Sequence, residues 1–145
     1  MIQKKQIELF LASPAFAVAG ASSNREKYGN KILRCFLQHH MKAYPINPNE
    51  QLIEGLPVLN SVEELPADVK SISIITQPTI TEIIVRAAIK KGIENIWIQP
   101  GAENEAAFQN CLVHHVNVIA GGPCLLVTLG YLDAVKDARI SDSSG

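Results

Sequence analysis

The sequence of 145 residues predicts a doubly wound α/β domain, a mostly parallel sheet of five to six strands with helices on both faces. Three observations carry this. The short, unalternating apolar run Phe16 to Ala19, closed by Gly20, suits a strand buried on both faces of a parallel sheet, and further short strand-like runs follow at Lys42 to Ile46 and Ser71 to Ile75. Segments with apolar residues at helical spacing alternate with those runs. Glycine, proline and asparagine punctuate the junctions.

Ile2 to Leu11 is expected to be a short amphipathic helix ending near Pro14. The strand Phe16 to Ala19 stops at Gly20, and a helix runs from Tyr28 to His40 with Ile32, Leu33, Phe36 and Leu37 on one face. Lys42 to Ile46 is the second strand, closed by Asn47-Pro48. Asn49 to Gly55 is expected to be a loop and Leu56 to Leu59 a short edge strand, since Pro57 lacks the N–H a central ladder needs. Asn60 or Ser61 is placed to cap a brief turn through Glu64.

After the strand Ser71 to Ile75, Thr79 is placed to cap a helix that turns Ile80, Ile83, Ile84, Ala87 and Ala88 inward and stops at Gly92. Asn95 to Ile98 is a strand. Glu103 to His115 is a helix with Ala107, Phe108, Cys111 and Leu112 inward, and Val116 to Ala120 is the last strand. Leu125 to Ile140 has helical periodicity, and its Leu126, Leu129, Leu132 and Val135 need cover from the domain or from a second copy in a homodimer. The domain is therefore set at residues 1–140, with 141–145 as a mobile polar tail. Right-handed crossovers place the helices on both faces, the Rossmann-like arrangement.

Composition narrows the function. Apolar residues make up 47% and charged residues 19%, as in a compact domain. The net charge is -1 and no basic stripe is present, which argues against a nucleic-acid partner. No apolar run approaches the length of a membrane span. The amino terminus does not read as a secretory signal, because its apolar stretch is broken by Glu8. Cys35, Cys111 and Cys124 are distant and odd in number, with no spacing for a metal or disulfide framework. A cytoplasmic location is expected.

The segment that carries chemistry is Gly20-Ala-Ser-Ser-Asn-Arg-Glu-Lys-Tyr-Gly29, between the first strand and the first long helix. Ligands of doubly wound sheets bind outside the carboxyl ends of the strands. A glycine there lets the backbone turn tightly and approach a ligand, and free amides at the helix start face an anion. Ser22 and Ser23 add hydroxyls; Arg25 and Lys27 add positive charge. These groups suit a phosphate or pyrophosphate. The dinucleotide fingerprint is not met: Ser22 stands at the second glycine position, the helix-side glycine arrives only at Gly29, and Asn47-Pro48 ends the second strand where an acidic ribose ligand is expected. No P-loop sequence is present.

GASSNREKYGNKI, YPINP, ITQP and IWIQPG, in that order, resemble the standalone coenzyme-A-binding Rossmann-like domain family, whose fold also forms the CoA-binding part of succinyl-CoA and acyl-CoA synthetases. The resemblance runs from about Phe16 to Cys124. It implies that Gly20, Ala21, Ser22, Lys27, Tyr28 and Gly29 hold phosphates of CoA or an acyl-CoA. It implies further that Asn47, Pro48, Thr76, Gln77 and Pro78 line the nucleotide, and that Gln99, Pro100 and Gly101 form the neighbouring rim. Family members commonly carry cations at three positions occupied here by Asn49, Gln77 and Gly122.

The reading is thus non-catalytic binding of a nucleotide-type small molecule. Two alternatives are weighed against it: an NAD(P)- or CoA-thioester-dependent enzyme using the loop and Cys124, and an interaction protein that has lost its ligand. Cys35 and Cys111 read as core, and Trp97 as core beside the rim. His39-His40 and His114-His115 suit helix carboxyl ends rather than a metal. No catalytic triad or dyad is defensible from the sequence.

Overall fold

A computed structural model describes residues 2–131. The elements are α1 (Ile2–Leu11), β1 (Ala15–Ala19), α2 (Tyr28–Gln38), β2 (Ala43–Ile46), β3 (Leu52–Ile53), β4 (Leu56–Pro57), a 3-10 turn (Val62–Glu64), β5 (Val69–Ile74), α3 (Pro78–Lys91), β6 (Asn95–Ile98), α4 (Glu105–Val113), β7 (Asn117–Ile119) and α5 (Leu125–Leu129). The main sheet has five strands in the order β2-β1-β5-β6-β7, all parallel. The chain moves outward in one direction from β1 to β2, then returns to β5 and proceeds the other way. The switch point lies between β1 and β5, and it is there that a crevice opens above a doubly wound sheet.

Strand alternation sorts the core into two layers. Ala15, Ala17 and Ala19 of β1 face the side covered by α3, α4 and the 3-10 turn, against Val85, Ala88, Ala107 and Cys111. Phe16 and Val18 face α1, α2 and α5, where Phe10, Ile32, Leu33, Phe36 and Trp97 fill the layer. Phe16 stacks on Phe36 at 4.8 Å, and Phe10 meets Trp97 edge-on at 5.2 Å. On β1 the first layer is thus lined by three small alanines and the second by Phe16 and Val18.

Polar ties seat α1 on the sheet. Phe10 offers its carbonyl to Ser71 Oγ at 2.7 Å, Asn95 donates to Ser71, and Asn117 donates to Asn95 and to the Gln6 carbonyl. Every buried side-chain nitrogen and oxygen among the described residues has a partner.

Several expected elements differ in detail. Leu56 to Leu59 does not extend the main sheet as a strand. Leu56–Pro57 pairs antiparallel with Leu52–Ile53 in a separate hairpin, and only a single bridge joins Leu59 to Ile46. Glu54 and Gly55 form the hairpin's two-residue turn at φ 51 and 78, the positive pair that a type I′ connection requires. Thr79 does not cap α3. Pro78 occupies its first turn with Gln77 at the cap, a position where the missing proline N–H costs nothing. The inward face of α3 is Thr81, Val85 and Ala88; Ile80 and Ile83 are exposed. Leu112 on α4 is also exposed, and Asn104 caps that helix by accepting from the Ala107 amide. Neither Asn60 nor Ser61 caps the 3-10 turn with its side chain; instead the Glu64 carboxylate accepts from the Asn60 amide. The expected helix beyond Leu129 and the polar tail lie outside the described residues, apart from Gly130 and Tyr131.

Candidate functional site

The connection from β1 to α2 rises beside the switch point, and its two ends touch. Gly20 has φ 91, and a Cβ there would stand 2.6 Å from the Ile75 carbonyl oxygen; a Cβ on Gly29 would stand 2.0 Å from the Gly20 carbonyl oxygen. No side chain fits at either position, which lets the start of α2 lie directly on the end of β1.

Side chains from elsewhere then orient the loop. Asn47 Nδ2 donates to the Ala21 carbonyl at 2.8 Å, and Asn30 Nδ2 donates to the Ser22 carbonyl at 2.9 Å. A trans peptide points its N–H opposite to its C=O. Anchoring these carbonyls therefore aims the Ser22 and Ser23 amides away from the anchors. The Ser23 amide meets the Glu50 carboxylate at 3.1 Å. Among the described residues, the amides of Ala21, Ser22, Tyr28 and Gly29 have no protein acceptor. The last two belong to the first turn of α2, whose N–H groups have no acceptor within the helix. Ser22 Oγ is occupied with the Asn24 amide, an internal turn bond.

Two adjoining clefts flank this loop. One, of about 470 Å³, is lined by Gly20, Ala21, Ser22, Lys27, Tyr28, Gly29, Asn47, Asn49, Glu50 and Ile75. The other, of about 580 Å³, lies between the Asn47-Pro48 turn, the 3-10 turn and α3, with Thr76, Gln77, Ile80, Ile83 and Ile84 along one wall. They share Gly20, Asn47 and Asn49. The first is mainly polar in its walls and the second apolar, as a phosphate end and a flat ring end would need. A smaller cleft of about 290 Å³ lies apart, between α4 and the ends of β6 and β7.

The expected residues divide accordingly. Gly20, Ala21, Ser22, Lys27, Tyr28, Gly29, Asn47, Pro48, Thr76 and Gln77 meet at the clefts. Ser23 is turned to Glu50, and Pro78 sits at the exposed start of α3. Arg25 points elsewhere: its guanidinium makes paired bonds of 3.1 and 3.2 Å with the Glu54 carboxylate of the hairpin. Burial pushes the Glu54 carboxyl up, but the bonds from Asn30 and Arg25 and the charges of Arg25 and Arg34 outweigh it and hold the group below its ordinary range.

Gln99, Pro100 and Gly101 line neither cleft. Gln99 is fully buried, donating to Ser73 Oγ at 2.9 Å and accepting from the Leu125 amide at 3.0 Å and from the Tyr28 hydroxyl at 3.4 Å. The same hydroxyl contacts Cys124 Sγ. Burial, then the hydrogen bond with the thiol, pushes the Tyr28 phenol far above its ordinary range. Trp97 is buried and donates to the Pro123 carbonyl at 2.9 Å.

Lining residues without a ligand role in the sequence reading include Ile80, Ile83 and Ile84 as ligand wall, Asn60 and Ser61 just before the 3-10 turn, Glu63 within it, and Glu50. Helix α3 carries two overlapping apolar stripes, and periodicity alone does not say which faces the core. No cluster of three or more metal-ligating side chains is present among the described residues. His39 and His114 each cap a helix, their Nδ1 bonding to the carbonyls of Cys35 and Asn110.

Comparison with known proteins shows the family of the chain. Residues 14–130 match the family model described as CoA binding domain. The chain is 24% identical over 94 residues to the alpha subunit of an ADP-forming acetate–CoA ligase from Pyrococcus furiosus, covering 63% of this chain. It is 25% identical over 142 residues to a trans-feruloyl-CoA synthase from an unknown prokaryotic organism, covering 90% of this chain. It spans only 20% of the length of either of these relatives. Among solved structures, it is similar to a conserved hypothetical protein from Pyrococcus furiosus at 37% identity and a TM-score of 0.75, covering 79% of this chain and 97% of that one. A hypothetical protein from Pyrococcus horikoshii shares the fold, at a TM-score of 0.81 and 24% identity, with 88% of this chain and 89% of the other covered. With the match covering most of its length, this chain belongs to the CoA binding domain family.

Proposed function

We propose that the protein binds coenzyme A or an acyl-CoA without transforming it, holding the pyrophosphate on the loop Gly20 to Gly29. The observation that carries the loop assignment is the set of open amides at Ala21, Ser22, Tyr28 and Gly29, gathered at one helix start above the switch point. Oriented amides at a helix amino terminus favour an anion through hydrogen bonding and through the helix dipole. Glu50 already exploits one such donor, since its carboxylate sits on the Ser23 amide. Lys27 supplies a cation at the same cleft. The adjoining apolar wall of Ile80, Ile83 and Ile84 suits the flat face of an adenine, and Thr76 and Gln77 its edge.

The surroundings of Cys124 speak against a catalytic thiol. Its partner is the Tyr28 hydroxyl, which holds its proton well into the alkaline range and is a poor base for a thiol. Calorimetry of the protein with CoA, acetyl-CoA and NAD tests the reading. CoA and acetyl-CoA are expected to bind more tightly than NAD, with the acyl-CoA recovered intact after prolonged incubation. No heat from CoA at millimolar ligand would overturn the binding, and thioester turnover lost in Cys124→Ala would overturn its non-catalytic character.

A further inference from the structure

We infer that Glu50 makes this site selective at the ribose, favouring coenzyme-A-type nucleotides with free ribose hydroxyls over those carrying a ribose phosphomonoester. The inference rests on the reading of the two clefts as a nucleotide site. With the diphosphate on the loop amides and the base against the isoleucines of α3, the sugar lies where the clefts join, at Gly20, Asn47 and Asn49.

Glu50 lines the phosphate-side cleft one residue beyond that junction. Its carboxylate is held in place by the Ser23 amide at 3.1 Å. The charges around the clefts give it weight. Lys27 is the cation in the lining of either cleft, set against Glu50 and Glu63, and Arg25 is turned away to Glu54. A diphosphate ester carries its charge on the loop, where open amides receive it. A phosphomonoester on the sugar adds a charge of roughly −1.5 to −2 at neutral pH, and here it would meet a fixed carboxylate and the uncharged Asn49. Like charges at close range repel, and in this solvent-open cleft the repulsion is one that salt screens. A free hydroxyl does the opposite, since it donates to a carboxylate. Doubly wound folds commonly use an acidic residue beyond the second strand in this way, and an arginine where a phosphate must be accepted.

Calorimetry of the full chain with CoA and with dephospho-CoA, which lacks only the ribose phosphate, tests this. Dephospho-CoA is expected to bind about tenfold more tightly at low salt, a preference that shrinks as salt screens the repulsion. Glu50→Gln is expected to remove most of the preference and Glu50→Lys to reverse it. Equal or tighter binding of CoA by the unaltered protein overturns the selectivity while leaving the CoA reading standing. A preference that survives Glu50→Gln unchanged also overturns the role of Glu50. If neither nucleotide binds, the CoA reading fails and the selectivity with it. Glu50 is partly exposed, so its variants are expected to fold; should one not, the ratio of affinities in the unaltered protein and its salt dependence still decide.

Discussion

Gly29 rests on the carbonyl of Gly20 so closely that a methyl group at position 29 would stand 2.0 Å from the oxygen and 3.0 Å from its carbon. Both obstacles are backbone, so neither can turn aside. Gly29→Ala must therefore push the start of α2 off the end of β1. Overpacking of this kind costs about 1–3 kcal/mol, occasionally more. A matching drop in urea midpoint is expected, with CoA affinity lowered further than stability alone explains, because the amides of Tyr28 and Gly29 move with the helix. An alanine variant of unaltered stability and affinity would refute the close approach.

Lys27 and Arg25 are separated by one residue yet face different surroundings. Lys27 lines the cleft, whereas Arg25 is paired with Glu54. Lys27→Ala is expected to weaken CoA about ten- to hundredfold and to flatten the salt dependence of binding, in keeping with a charge-assisted contact of about 1.5–3 kcal/mol. Arg25→Ala is expected to leave affinity within about twofold and to act on stability instead. Equal losses of affinity in the two variants would contradict this division.

The Glu54 carboxylate also sets an acid limit. Its folded pKa lies below the ordinary value of 4.5, so its contribution is complete above that value and is lost as pH falls through the lower folded one. Urea titrations should show the unaltered protein losing stability in that acid window, and Glu54→Gln, already weakened at neutral pH, losing less of it. Parallel pH profiles would show that the hairpin carboxylate is not coupled to folding.

Alkali acts on the buried thiols in the opposite sense. Burial raises Cys35 from 9.0 to about 12 and Cys111 to about 11. Above pH 9 the unfolded chain releases these protons while the folded one keeps them, so stability falls as pH rises. Double replacement by alanine is expected to flatten this alkaline slope. In the native protein a thiol reagent should modify Cys124 first, since Cys35 and Cys111 are buried and Cys124 is partly exposed. Rapid modification of all the thiols at neutral pH would refute the burial.

Ile83 separates core packing from ligand contact. It is 51% exposed on α3 yet lines the larger cleft. Ile83→Ser should change the melting temperature little and weaken CoA by about tenfold, the loss of a buried aliphatic contact. Val85→Ser, two positions on and fully buried, should unfold the protein first. If Ile83→Ser destabilised as much as Val85→Ser, the wall would belong to the core.

The sequence by itself determined the fold class, because short apolar runs and helical stripes are local patterns imposed by burial on two faces and on one. It also marked Gly20 to Gly29, since glycines flanking a strand-to-helix junction can be read without knowing what lies across from them. Tertiary structure alone decided what each charge does. The sequence lists Arg25 and Lys27 as equals, but only the hairpin that brings Glu54 alongside Arg25 withdraws it from the cleft. Glu50 lies past a proline turn in the chain and beside the Ser23 amide in space, 27 residues away. The resemblance puts Gln99 at the neighbouring rim, and only the fold makes it a buried joint between β5, α2 and α5. Charge partners and the choice between two helix stripes are set by segments distant in the chain, and local periodicity carries no record of them. The loop is therefore legible in the sequence, while its polarity, with one cation and one carboxylate facing the same cleft, belongs to the folded molecule.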